Sequence, residues 1–241
     1  MMLMRTSSRF FPRGLILLIA LGALAGLALF LFLTLNGNHG RDATVWAFIT
    51  NPRANQRQTV EALSRCGETP YLMPTSGLIG YIWDDSFYVG HRHQGLDIFG
   101  GTEVGVTPVY AAASGYLTRL SGWAGSLIIR IPSDELNPGT QVWNYYTHLA
   151  DAAGNSFIEA RFYPGILEEH VEAGTLLGYQ GNFSGDPNNP VGVHLHFSIV
   201  RDDGWGNFTN ELEIGNTLDP SPYFGMEMNA NTNPNEIPTC E

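Results

Sequence analysis

Three of the seven histidines in this 241-residue chain sit in two short runs whose spacing suits metal chemistry. His93-Gln94-Gly95-Leu96-Asp97 offers an imidazole and a carboxylate, and His194-Leu195-His196 offers two imidazoles. Side chains on a strand alternate faces with period two, so positions 93 and 97 are expected on one side, and 194 and 196 likewise. One sheet face would then present four donors, one more than the three protein ligands a catalytic zinc keeps. The surplus imidazole is free for proton chemistry. A further histidine lies in Tyr145-Tyr146-Thr147-His148-Leu149, an aromatic and threonine-rich run that reads as a strand. Tyr146, two positions before His148, is expected to share its face.

In this order the segments resemble the lysostaphin-like zinc metalloendopeptidases, which cut peptide cross-links or stems of bacterial peptidoglycan. The family's His-x-Gly-x-Asp stands at 93–97, its Tyr-x-His-Leu at 146–149, and its Gly-x-His-Leu-His-Phe at 192–197. Thr107-Pro108-Val109-Tyr110-Ala111-Ala112-Ala113-Ser114-Gly115, Val171-Glu172-Ala173-Gly174, Gly178 and Gly181 extend the likeness over residues 75–225. The resemblance implies His93, Asp97 and His196 as zinc ligands and His148 and His194 as catalytic histidines. Zinc would acidify a water and polarise the scissile carbonyl. The two catalytic histidines would orient that water, exchange protons and stabilise the oxyanion, with the division between them left open. Two other readings stand beside it. One is a non-catalytic, wall-binding relative that activates another hydrolase; such relatives have typically lost zinc ligands, and every matching position is kept here. The other is an iron oxygenase, because two histidines and a carboxylate also make a facial triad.

The remaining histidines read blandly: His91 as a rim residue, His39 and His170 as solvated. Gly95 and Gly192 flank the proposed ligands and read either as turn formers or as points of close backbone approach. Tyr81, Trp83, Phe87, Tyr88, Trp123, Trp143 and Tyr145 are read mostly as core or strand-pairing aromatics, with some lining a cleft.

The elements that must carry these residues are short β-branched and aromatic runs at 109–113, 126–131, 141–147 and 194–200, separated by Gly, Pro and Asn clusters. That pattern reads as all-β. The resemblance implies an antiparallel β-sandwich or barrel-sandwich hybrid with a groove floored by zinc. It also marks 151–169 as longer than usual and as a groove wall. Residues 71–225 form the expected metallopeptidase domain. Ahead of it come a cytoplasmic tail at 1–13, a transmembrane helix at 14–35 and a connector at 36–70, with a short helix expected over 55–66. A polar, turn-rich tail follows at 226–241.

The membrane segment is 22 residues without a charge, behind Arg5, Arg9 and Arg13. That is long enough to span a bilayer, with the N-terminus inside and the domain outside. A cleaved signal peptide is the alternative, but Leu33-Thr34-Leu35-Asn36-Gly37 makes a poor cleavage site. Beyond residue 40, nine arginines face 23 acids, and lysine is absent. This balance leaves no basic patch for nucleic acid. Asp84-Asp85 and Asp202-Asp203 read as solvated surface. Cys66 and Cys240 would lie where a disulfide can persist, and the sequence leaves their pairing open. It is also silent on oligomeric state and on whether 41–90 holds the groove latent, for instance through Asn51 or Asn55.

Overall fold

The computed structural model describes residues 39–86 and 90–240, together with Leu24, Gly26 and Leu27, which are helical. The remainder of the expected membrane segment 14–35, the 1–13 tail, Phe87 and Tyr88 lie outside the described residues. Among those described, no helix is long and apolar enough to cross a membrane.

The chain runs through helix α1 (His39–Thr50), a 3-10 turn (Pro52–Gln58) and strands β1 (Thr59–Val60), β2 (Gly77–Tyr81), β3 (Leu96–Phe99), β4 (Pro108–Tyr110) and β5 (Gly115–Thr118). It continues through β6 (Leu127–Ile131), β7 (Val142–Thr147), β8 (Glu169–Val171), β9 (Leu176–Tyr179), β10 (Leu195–Arg201) and β11 (Thr217–Leu218), ending in helix α2 (Ser221–Phe224). Nine strands form one sheet in the order β1-β2-β3-β10-β7-β6-β5-β8, with β11 joined to β10, while β4 and β9 make a second, two-stranded sheet. The strand pairs are antiparallel, in keeping with the all-β reading.

Period-two alternation gives the large sheet two different faces. Leu195, Phe197 and Ile199 of β10, Leu96 and Ile98 of β3, and Leu127 and Ile129 of β6 point into one core, which Val109 of β4 and Leu177 of β9 close from the other side. Burying each such side chain contributes about 1.5–3 kcal/mol. The intervening residues build the opposite face. There Leu78 and Phe99 pack under Val45 and Phe48 of α1. Further along, Ile128, Trp143 and Val200 pack under Trp123 and Phe208. Asp97 and His196 sit between these two apolar patches.

Residues 39–60, expected as part of a connector, are thus folded onto the sheet. Gly80 allows this, since a Cβ there would lie 2.6 Å from the Val45 side chain and 2.7 Å from the Phe99 ring. The helix expected over 55–66 is not formed: Pro52 starts a 3-10 turn capped by Asn51, and Thr59–Val60 then pairs with β2. The Asn51 side chain accepts from Ala54 N–H within that turn, and the Asn55 side chain reaches back to the Ala47 carbonyl of α1 and the Asn51 carbonyl. Residues 226–240 lack helix and strand, yet Met226 and Met228 belong to the core and Cys66 pairs with Cys240, their Cα atoms 5.4 Å apart. Ile158, Phe162 and Ile166 sink the long 151–169 segment into the same core.

Candidate metal centre

Strand register brings the first donors together. Asp97 of β3 lies directly across from His196 of β10, and Thr147 of β7 faces His196 from the other side. His93 is not on β3 as expected; it lies in irregular backbone just ahead of the strand. Its main chain is held by hydrogen bonds, His93 N–H to the Asp85 carbonyl (2.7 Å) and Asp84 N–H to the His93 carbonyl (2.8 Å). The imidazole Nε2 then reaches Asp97 Oδ1 and His196 Nδ1, each at 3.1 Å, while His196 Nδ1 stands 2.8 Å from the same carboxylate oxygen. All three residues are buried.

Among the described residues, His93, Asp97 and His196 are the cluster whose donors could hold a metal ion, lying within 4.8 Å of one another. Two donors on a tetrahedral zinc are roughly 3.3 Å apart, given bonds of about 2.0–2.1 Å. The spacings fit such an ion with little adjustment, and two imidazoles with one carboxylate are a donor set that catalytic zinc sites use. A backbone carbonyl fixes the outer side of the first ligand: His93 Nδ1–H donates to Ile82 O at 2.9 Å, leaving the Nε2 lone pair facing inward.

His148 and His194 stand beside the cluster, their rings 4.5 Å apart. His148 follows β7 with φ at 69°, a left-handed conformation uncommon outside glycine. That turn breaks the alternation and corrects the expectation for Tyr146, which is fully buried in the core with its hydroxyl accepting from Ala112 N–H at 2.8 Å. His148 Nδ1–H donates to Phe183 O and His194 Nδ1–H to Gly192 O, both at 2.7 Å, so in each ring Nε2 is the nitrogen left for chemistry. His194 Nε2 is 3.5 Å from Asp97 Oδ1, and its ring stacks on Phe99 with centroids 5.0 Å apart.

Burial, reinforced by the charge of His194, pushes the His148 imidazole down to about 3, so it is neutral at physiological pH. Burial would push the Asp97 carboxyl up, but the charges of His93 and His194 and hydrogen bonds from His194 and His196 outweigh it, and Asp97 stays ionised. Burial would likewise lower His93, and Asp97 beside it more than offsets this. Glu211, half-buried, feels the charges of His196 and His93, although burial dominates and raises its carboxyl.

The other expectations fall out unevenly. His91 is half-buried near the site, and His170 is exposed but not bare, lying against the Tyr116 ring and 3.8 Å from Glu172. Asp84 and Asp85 are not solvated surface: Asp84 pairs with Arg92, and Asp85 is fully buried against Arg41. Asp202 accepts from Gln141 and Trp143. The carbonyls of Ile82, Phe183 and Gly192 escaped sequence reasoning, because a main-chain acceptor leaves no mark in residue type.

No family model matches the chain, and no curated protein matches it. Solved structures do. One is the antimicrobial peptidase lysostaphin from Staphylococcus simulans, at 22% identity and a TM-score of 0.36, over 55% of this chain and 44% of that one. A second is a LytM protein from Ruminococcus gnavus, at 24% identity and 0.34, over 54% and 44%. A third is the catalytic domain of the prophage-encoded M23 protein EnpA from Enterococcus faecalis, at 18% and 0.37, over 64% and 98%. The match therefore spans less than half the length of the first two.

Proposed function

We propose that this chain is a zinc metalloendopeptidase of the lysostaphin-like kind, hydrolysing peptide bonds of peptidoglycan cross-links or stems. The convergence of His93, Asp97 and His196, with His148 and His194 alongside, carries the reading. The substrate class comes from the three motifs that resemble the family. In this reading 14–35 anchors the chain in the membrane and the 71–225 domain works outside the cell.

His93, Asp97 and His196 would hold the zinc. Bound there, it supplies a Lewis acid for the scissile carbonyl and lowers the pKa of a water. His148, neutral and with Nε2 unprotonated, accepts a hydrogen bond from the attacking water and orients it. His194 is the proton carrier: its Nε2, 3.5 Å from Asp97 Oδ1, is placed to donate to the developing oxyanion or the leaving amine. Phe99 against the His194 ring, and the Gly192 carbonyl on its Nδ1, hold it in that orientation.

Metal content and turnover of alanine variants test these roles together. Replacing His93, Asp97 or His196 should abolish zinc binding. His148→Ala and His194→Ala should keep one zinc per chain while losing most turnover. Iron in place of zinc in the purified protein would point to the oxygenase reading, and normal hydrolysis by the His194 variant would overturn its role.

A further inference from the structure

Arg41 is fully buried, as is Asp85, and their side chains meet at 3.1 Å between Nη1 and Oδ2. The pair lies outside the cluster of proposed ligands and joins three distant parts of the chain: α1, the turn at 82–85, and the tail, where Arg41 Nη2 also donates to the Asn233 carbonyl. Burial lowers the Arg41 guanidinium and Asp85 opposes this, so the charge is retained by its partner.

The turn that Asp85 shapes is the one that holds His93. The Asp85 oxygen facing Arg41 also accepts the Ile82 N–H at 2.8 Å, and Asp85 N–H returns a bond to the Ile82 carbonyl at 3.1 Å. This closed turn aims the Ile82 carbonyl at His93 Nδ1 and the Asp85 carbonyl at His93 N–H. Both the protonated nitrogen of the imidazole and the backbone beneath it thus depend on a turn whose carboxylate is neutralised from α1. A buried carboxylate without its cation would draw other donors or a proton, and the turn would loosen.

We propose that Arg41 and Asp85 are positioning residues for the metal site: together they fix the Nδ1–H tautomer and the orientation of His93, making α1 part of the metal-binding unit. The inference rests on His93 being a ligand. Outer partners of this kind typically alter metal affinity by about 10–100-fold.

The test uses the full chain with Arg41→Met, Arg41→Lys and Asp85→Asn, and Phe48→Leu as a control that loosens the packing of α1 on Leu78 and Phe99 without touching the pair. Two readouts separate positioning from bulk stability. The first is the imidazole tautomer of His93 in metal-free protein, at a pH where that ring is neutral, by long-range proton–nitrogen correlation spectra. The second is zinc affinity by chelator competition. Arg41→Met and Asp85→Asn should populate the Nε2–H form and weaken zinc by about 10–100-fold. Arg41→Lys should recover part of the loss, and Phe48→Leu should move neither readout while lowering the melting temperature. An unchanged tautomer and affinity in Arg41→Met would overturn the proposal, as would an equal loss in Phe48→Leu. If Arg41→Met does not fold, Asp85→Asn and Arg41→Lys decide by the same readouts. Absence of zinc binding in the unsubstituted chain would refute the metal reading itself, whereas an altered tautomer in the variants would still establish the clamp.

Discussion

Gly95 lies between His93 and Asp97, and its missing side chain sets how closely the start of β3 approaches β10. A Cβ added there would lie 2.9 Å from both the Phe197 carbonyl carbon and Ser198 Cβ, and closer still to the Phe197 carbonyl oxygen. Carbon atoms pack comfortably at about 3.5–4.0 Å, so Gly95→Ala demands roughly 0.6–1.1 Å of separation. The obstacle is backbone of a central strand paired on both sides, which cannot yield as a flexible side chain would. Overpacking of this kind costs about 1–3 kcal/mol, and the upper end is expected here. In a chain of this size that lowers the melting temperature by about 6–12 °C. The displacement falls between Asp97 and His196, which stand 2.8 Å apart. A misplacement of about 1 Å can reduce turnover by about a hundredfold. Gly192, beside His194, is the internal comparison: its nearest obstacle is the Phe99 ring at 3.7 Å, an ordinary contact, and Gly192→Ala should leave zinc affinity unchanged. Differential scanning calorimetry and chelator competition on the two variants decide the matter. Equal behaviour of Gly95→Ala and the parent chain would refute the close-approach argument.

Three other outcomes are expected. Replacing Cys66 and Cys240 by serine removes a link that closes a 174-residue separation; loop-closure entropy sets the loss at about 5 kcal/mol, and urea unfolding with and without reductant should measure it. Arg119 donates to the carbonyls of Trp123, Phe162 and Ala124 and to Ser156 Oγ, so Arg119→Met strands the buried Phe162 carbonyl and loses three partly exposed bonds, and should cost about 1–3 kcal/mol by chemical denaturation, with little change in zinc affinity. In metal-free protein, the His148 imidazole titrates near 3 when folded against 6.5 ordinarily. The unfolded chain therefore binds the extra proton first. Stability should be intact above pH 6.5 and fall as pH drops toward 3, by up to about 1.4 kcal/mol per pH unit from this group. A His148→Gln variant lacking that slope would confirm the source, and an unchanged slope would discount it.

Much of the donor set was legible because its spacing is written in residue types. His196 and Asp97 meet through strand register, and alternation along β10 correctly puts His196 opposite in facing to Leu195 and Phe197. Where alternation failed, local backbone overrode it: His148 turns to positive φ and leaves Tyr146 in the core, and His93 is held in a loop rather than on β3. Helix α1 carries a buried arginine and packs chiefly through Val45 and Phe48, which gives the sequence only a weak apolar stripe to read. Asp85 resembles any surface acid until the fold supplies Arg41 from 44 residues upstream.

The most direct test is digestion of purified peptidoglycan by the full chain, with and without chelator and restored zinc, reading released muropeptides by mass spectrometry. Zinc-dependent cleavage at one defined peptide bond, lost in His194→Ala, is the expected result. Intact peptidoglycan with one zinc bound per chain, or cleavage that persists in chelator, would contradict the proposed zinc peptidase.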